Sequence, residues 1–355
     1  MAATSETRSY NSLLVTTANE YMTSVIDNVG KANIVFYMLN QDGFKKVQNG
    51  GERVEIPVRM TKSTSGGFYE NYDLLNTTPS DPLTKAFYPW RQIHYSIVMS
   101  RMEERKNAGM GKKIDMLQAL MDDAEDSLTQ DINGAVFSTA STTAPKKIDG
   151  LLGLVPEDPS SATGGRGGDG LIGGIDQNAN SWWRNKVHGN AGTTFTYIAD
   201  NDSGAAPTLW TGMEYLYENC SKGGGPRNKR EPNIGVANQY LYRTYMMGLA
   251  PQRRFMDSKL ASAGFRNVMF NNMPISWDED CAYASSSSSV GCLYMLNKHF
   301  MHWVVDSQTD FLKTPFVRPA NQDAKIAQIL LYGNLCASSR RKQGVLVDAN
   351  VTNVT

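Results

Sequence analysis

"KKIDMLQALMDDAEDSLTQDINGAVF", residues 112 to 137, steps its apolar side chains by threes and fours through Ile114, Leu117, Met121, Ala124, Leu128 and Ile132. Lys113, Asp115, Asp122, Asp123, Glu125 and Asp126 occupy the remaining faces. That is the helical period with a single apolar stripe. The spacing predicts a helix over about 112–137, roughly 40 Å long at about 1.5 Å per residue. Gly109 and Gly111 mark its start, and Gly134 weakens its end. A helix this long with one apolar side needs an extended apolar surface to lie on, and a sheet supplies one.

Strand signals flank it on the N-terminal side. In "RVEIPVRM", residues 53 to 60, Val54, Ile56, Val58 and Met60 face one way while Arg53, Glu55 and Arg59 face the other. Pro57 lacks an N–H, which places it at an edge or an unpaired position. "WRQIHYSIVMSR", residues 90 to 101, repeats the alternation with Ile93, Tyr95, Ile97 and Met99. The two runs are expected to pair as an extended hairpin. Their connection, "TKSTSGGFYENYDLLNTTPSDPLTKA", is far longer than the usual two to five residues of a hairpin loop. Ordering it costs on the order of 25 to 50 kcal/mol at about 1–2 kcal/mol per residue. Disordered linkers are poor in aromatics, whereas this one carries Phe68, Tyr69 and Tyr72. A neighbouring molecule that orders the loop fits that composition.

Residues 145 to 180 read as loop. "LWTGMEYLYENCSKGGG" (209–225) reads as a helix with Leu209, Met213, Leu216 and Tyr217 on one side. "PNIGVANQYLYRTYMMG" (232–248) reads as a short strand followed by a helix that Asn238 caps and Gly248 ends. Short strands recur at "NVMF", "MPISW" and "CLYMLN", and "SSSSS" (285–289) reads as a loop tip. "DAKIAQILLYGNLCASSRRKQGVLVDANV" reads as a long apolar strand, a polar turn and a second strand, a pair that would complete the sheet under the long helix. Residues 1 to 50 show no strong core pattern and read as an arm, with a short helix ending at Gly30.

Composition limits the function. Lysine plus arginine, 35, equal aspartate plus glutamate, 35, so the formal net charge is zero. That argues against a protein that lives by counterion release on nucleic acid. The first 30 residues carry only Glu6, Arg8, Glu20 and Asp27, so there is no basic arm. Cys220, Cys281, Cys292 and Cys336 form no C-x-x-C pair, which fits a reduced cytosolic history, with one or two disulfides as the alternative. No signal peptide or membrane-spanning run is apparent.

The motifs that could carry chemistry are weak. His299 and His302 stand three apart with Asp306 beyond, a conceivable metal set for a metal-dependent hydrolase. On a strand that spacing points the two rings to opposite faces; on a helix they share one face but no third ligand stands out, and they read as ordinary surface or interface histidines. "GGRGGDGLIGG" lacks the Gly-Lys-Ser/Thr ending of a phosphate loop. "YASSSSSVG" has no nucleophile-elbow context. The acidic run "DDAEDSLTQD" reads as a solvated helix face. "WWR" at 182–184 could stack bases, and together with "SSRRK" could serve a nucleic-acid-binding module, but packing is the simpler role. No catalytic residue, metal or cofactor is expected.

"GGIDQNANSWWRN" (173–185), "LAPQRRFMDSKLASAGFRNVMFNNMPISWDED" (249–280) and "FVRPANQDAKIAQILLYGNLCASSRRKQGVL" (316–346) together carry a resemblance. With the order of parts, they make the chain resemble the major capsid proteins of tailed bacteriophages, from about residue 20 to 347. The resemblance implies an α+β Hong Kong 97-like phage capsid fold. It implies an N-terminal arm (1–50), an extended E-loop hairpin (51–99), a peripheral domain with a long spine helix and glycine-rich loop (100–204), an axial domain (205–310) and closing strands of the peripheral domain (311–355). By the same resemblance, Arg59, Lys62, Phe68, Tyr69 and Tyr72 of the E-loop would contact a neighbouring subunit. Trp182, Trp183 and Arg184 would anchor the glycine-rich loop.

The implied function is a non-enzymatic subunit that assembles with itself, as pentamers and hexamers, into the icosahedral shell around double-stranded phage DNA. That DNA would be bound without sequence specificity. An encapsulin-like compartment is the alternative within the same fold. A separate scaffold protein, or scaffold-free assembly, is expected because no segment long enough to be a cleaved scaffolding region precedes the arm; a portal and decoration proteins are the further implied partners. No membrane is involved; assembly in the host cytoplasm and residence in the virion follow. Some members cross-link neighbours through a lysine, but nothing near Lys62 identifies such a partner.

Overall fold

A computed structural model describes residues 34–40, 43–63, 65–106, 116–138, 145–160, 170–189, 209–223, 229–248, 267–281, 291–319 and 322–348. In chain order the first elements are α1 (Ile34–Leu39), β1 (Lys45–Gln48), β2 (Arg53–Arg59), β3 (Leu83–Pro89), β4 (Arg91–Ser100), α2 (Arg101–Lys106) and α3 (Met116–Val136). Then come α4 (Leu151–Leu154), β5 (Leu171–Ile172), β6 (Ile175–Asp176), a 3-10 turn at Ser181–Trp183, β7 (Lys186–His188), α5 (Leu209–Ser221), β8 (Ile234–Ala237) and α6 (Gln239–Gly248). Strands follow: β9 (Asn267–Phe270), β10 (Met273–Trp277), β11 (Gly291–Leu296), β12 (Met301–Asp306), β13 (Leu312–Lys313) and β14 (Ala324–Ala337). A 3-10 turn at Arg340–Lys342 leads to β15 (Gly344–Asp348).

The chain forms two compact units. One comprises Gln92–Asp131 and Gln308–Tyr332. Here β4 and β13 pair with β14, β13 in antiparallel register with Leu312 opposite Leu330. The apolar stripe foreseen for the long helix is visible in α3, where Ala124 and Leu128 are buried and Asp122, Asp123 and Asp126 are exposed. Ile114 lies outside the described residues. Partly exposed ion pairs join Lys313 to Glu125 and Lys325 to Glu104. Such pairs sit in high dielectric and orient elements more than they stabilise them. Tyr95 donates to Asp131, and that hydrogen bond, more than burial, raises its phenol to about 12.

The other unit holds Ala32–Arg91, Ile132–Ser307 and Gly333–Thr355. Its six-stranded sheet runs β7-β15-β11-β8-β10-β9. "IGVA" of β8 and "GCLYML" of β11 are buried residue after residue, as in strands covered on both faces, so neither shows alternation. The predicted face of α5 is the buried one: Leu209, Met213, Leu216 and Tyr217, joined by Cys220. This helix approaches the sheet so closely at Gly344 that a Cβ there would lie 2.6 Å from Cys220 Sγ. Lys342 Nζ donates to Ser221 O and Lys222 O, placing a cation on the carbonyl end of α5. Leu241 N donates to Asn238 Oδ1 at 3.0 Å, so α6 is capped as expected.

Two pairings differ from the sequence expectation. First, β2 pairs not with 90–101 but with β3, from Arg53 opposite Pro89 to Arg59 opposite Leu83. The strand Arg91–Ser100 pairs with β14 instead. "LTKAFYP" escaped notice because its inward residues, Thr84, Ala86 and Tyr88, include small and polar types that carry little hydrophobic contrast. Second, β14 and β15 do not form a hairpin. The 333–337 part of β14 pairs with β12, while β15 pairs with β11 and β7. The polar segment between them is no surface turn, since Arg340, Lys342 and Gln343 are all buried. Gln343 exchanges hydrogen bonds with the backbone of Asn297, which carries the chain across to the second sheet. Among the described residues no helix is long and apolar enough to cross a membrane.

Candidate functional site

The β2–β3 hairpin is a seven-pair antiparallel ribbon with a long loop at its far end. Both strands are edges, so Pro57 removes no hydrogen bond from an interior ladder. Along the ribbon Lys85 reaches Glu55 at 3.0 Å, and the Arg53 guanidinium lies 4.3 Å from the centre of the Phe87 ring. Met60 N donates to Pro82 O at 2.9 Å, closing the ribbon. Beyond that point nearly every described residue is exposed.

The loop forms several local hydrogen bonds. Glu70 N donates to Asp73 Oδ2, Asp73 N to Glu70 O, and Thr78 N to Asn76 Oδ1, while Ser80 Oγ donates to Ser63 Oγ across the loop. Its apolar groups find nothing: Phe68 is 109%, Tyr72 99% and Leu74 100% exposed, and Tyr69, Leu75 and Leu83 are largely so. Arg59 and Lys62 are exposed at the loop entry, with Arg59 Nε donating to Thr61 O. All five residues named for this loop therefore stand in solvent on one projecting element. Each large apolar side chain left this way forgoes about 1.5–3 kcal/mol of burial.

The root of the hairpin is built the opposite way. Val54, Ala86 and Tyr88 are buried, and Tyr88 OH donates to Ala337 O at 2.9 Å. Burial pushes the Tyr88 phenol far up, so it stays a donor. Phe87 N donates to Gly173 O at 2.9 Å, docking β3 on the β5–β6 turn. Gly173 has φ +61, and a Cβ there would lie 3.1 Å from Ala86 Cβ. The turn needs left-handed backbone and lacks space for a side chain, and glycine answers both needs.

Trp183 fastens that turn from behind. It is 1% exposed, and its Nε1 donates to Ile172 O at 2.9 Å. Trp182 packs beside it at 5.7 Å between ring centroids, half-buried, with Nε1 on Asn180 Oδ1. Arg184 donates from Nε to Gln177 O and from an Nη to Asn178 O, bracing the intervening loop. Sequence reasoning did not single out Arg340. It is fully buried 5.9 Å from the Trp183 ring centre, donates to Leu154 O at 2.7 Å and Gln177 Oε1 at 2.8 Å, and leaves Nη1 without a partner. Burial lowers its guanidinium to about 10, still a cation at neutral pH. With Lys342 also buried, the "SSRRK" segment offers no continuous basic surface for nucleic acid.

The histidines do not assemble a metal site. His302 is buried on β12, His299 sits in the preceding turn, and Asp306, at the end of β12, accepts from Gly50 N. Burial, with Lys46 adding, drives His302 down to about 4, which a hydrogen bond with the Gly43 backbone only partly opposes. Among the described residues no three His, Cys, Asp or Glu side chains converge to hold a metal ion. All four cysteines are buried free thiols.

By sequence, the chain matches no family model and no curated relative. Solved structures do match. A subunit of the cyanophage A-1(L) capsid superposes with a TM-score of 0.66 at 16% identity, over 95% of this chain and 97% of that one. The chain has the phage capsid fold. The capsid of Myoviridae phage XM1 shares this capsid fold at TM-score 0.55 and 13% identity, over 93% and 96% of the two chains. So does the SrpI encapsulin of Synechococcus elongatus PCC 7942, at TM-score 0.55 and 9% identity, over 100% and 99%. At these identities the capsid fold is what is shared, and the role of the hairpin loop rests on this chain's own side chains.

Proposed function

We propose that this chain is a non-enzymatic subunit of a closed icosahedral shell of the tailed-phage type, assembling chiefly with copies of itself around double-stranded DNA. The observation that carries the reading is the projecting loop of residues 60–82, which forms local hydrogen bonds while its large apolar side chains stand largely in solvent. The capsid fold supports it, because a shell supplies a second copy against every such loop. In this reading the hairpin is the E-loop, with Arg59, Lys62, Phe68, Tyr69 and Tyr72 against a neighbour. The unit with α3 belongs to the peripheral domain, and the six-stranded sheet with α5 and α6 to the axial domain. Trp182, Trp183 and Arg184 anchor the loop that feeds the hairpin root.

The formal net charge of zero suits a shell that encloses DNA without binding it through a basic lining. A scaffold protein, a portal and decoration proteins are the partners this reading adds. Assembly takes place in the host cytoplasm and the product resides in the virion. An encapsulin-like compartment is the second reading, favoured by the SrpI likeness over the full chain; particle contents, DNA or a cargo enzyme, separate the two.

The test is sedimentation with negative-stain electron microscopy on the wild-type chain and on a variant whose residues 62–81 are replaced by a two-residue turn. Wild type should form closed particles, alone or with the product of the neighbouring upstream gene. The variant should remain a folded subunit that forms none. Normal shells from the variant, or a wild-type chain that stays monomeric under both conditions, would refute the reading.

A further inference from the structure

Cys281 and Cys292 stand either side of the serine tract, and no short cysteine motif marks them. The fold brings them into contact: both are buried, and their Sγ atoms are 3.5 Å apart. Neither position is loose. Asp278 N donates to Ala237 O at 3.1 Å and Cys281 N to Asp278 O at 3.3 Å, which holds the turn after β10 to the end of β8. Asn238 N donates to Cys292 O at 3.0 Å, and Cys292 pairs with Val347 in the β11–β15 ladder. The two sulfurs therefore face each other near the end of β8, one from the turn after β10 and one from β11. A disulfide needs them at about 2.05 Å, a closure of the size that small χ1 rotations supply.

We infer that Cys281 and Cys292 form an oxidation site, a buried dithiol that a peroxide converts into an intrachain disulfide. One thiolate attacks a peroxide oxygen; the O–O bond breaks, a sulfenic acid forms and, after protonation, one water leaves. The second thiol then attacks the sulfenic sulfur, the S–S bond forms, the S–O bond breaks and a second water leaves. Two thiols are oxidised and one hydrogen peroxide is reduced to two waters. The second thiol at contact distance intercepts the sulfenic acid before further oxidation. Cys220, on α5, and Cys336, on β14, are buried on other elements.

The surroundings set the rate. Burial first, then the hydrogen bond with Cys292 and the Asp278 and Asp280 charges, hold the Cys281 thiol well above the ordinary range. Thiolate is scarce at neutral pH, so cross-linking is slow there and accelerates as the pH rises. The product would staple the turn after β10 to β11 and close a covalent ring over residues 281–292, removing freedom from the unfolded chain. This inference rests on the sulfur geometry alone and stands whether or not the chain forms shells.

The experiment uses the full, reduced chain. It is exposed to hydrogen peroxide, quenched with catalase, unfolded and tagged with a maleimide polymer that shifts the gel band once per free thiol. Four tags should fall to two, the remaining pair on Cys220 and Cys336. Chymotryptic cleavage after Tyr283 should leave two peptides joined through Cys281 and Cys292. The thermal midpoint should rise on oxidation and fall back with dithiothreitol. Retention of four tags by the folded chain, at a peroxide dose that cross-links the urea-unfolded chain, would overturn the inference. So would a linkage through Cys220 or Cys336.

Discussion

Two regions carry large apolar loads and treat them in opposite ways. Beneath α5 and α6, Phe270 is boxed edge-on by Trp210 at 5.3 Å, Tyr217 at 6.0 Å and Tyr245 at 6.2 Å. In the hairpin loop Phe68, Tyr72 and Leu74 are fully exposed, and Tyr69 and Leu75 largely so. The first region recovers its ordering cost within the subunit. The second forms local hydrogen bonds and leaves most of its apolar area in solvent, as the proposed contact with a neighbouring copy requires. Aromatic content alone does not separate the two; the partners available to each ring do.

The comparison can be broken at either end. The largest change in subunit stability is expected from Phe270→Ala, about 3–5 kcal/mol by chemical denaturation, since a boxed ring leaves a cavity that its neighbours refill only in part. A loss below about 1 kcal/mol would mean the box is loosely packed.

The pH dependence comes next, and it too belongs to the buried part. His302 titrates near 4 in the folded chain against 6.5 for the free side chain. The folded state therefore binds fewer protons, and stability is full above about 6.5 and falls as the pH drops toward 4. The loss is on the order of 3 kcal/mol. His302→Gln should flatten the denaturation midpoint over that window relative to wild type. Asp278 works in the opposite sense, its carboxyl raised by burial, so the informative quantity is the difference between the two proteins. An unchanged slope in His302→Gln would place the proton uptake elsewhere.

The smallest effect is expected in the loop. Tyr72→Ser combined with Leu74→Ser should move subunit stability by no more than about 0.5 kcal/mol. Particle formation should nevertheless be lost by sedimentation. A clear fall in the subunit's own stability would show that these side chains are covered within their own chain, and the contrast between the two regions would fail.

What the sequence by itself determined is what repeats locally. The buried stripe of α3 through Ala124, Leu128 and Ile132, the inward face of α5 and the Asn238 cap could all be read from spacing, because a helix writes its period and its caps into adjacent residues. The candidate loop was legible for a related reason: its length and its aromatics conflict with a free hairpin loop. Only the tertiary structure decided which strands pair, that β2 takes β3, and that β14 and β15 part into two sheets. Only it turned a polar segment into the buried Arg340, Lys342 and Gln343, and set Cys281 against Cys292. These are long-range matters. Strand partnership and the burial of a cation depend on segments well beyond one turn or repeat, as where Arg340 reaches Leu154 and Gln177, and no local period records them.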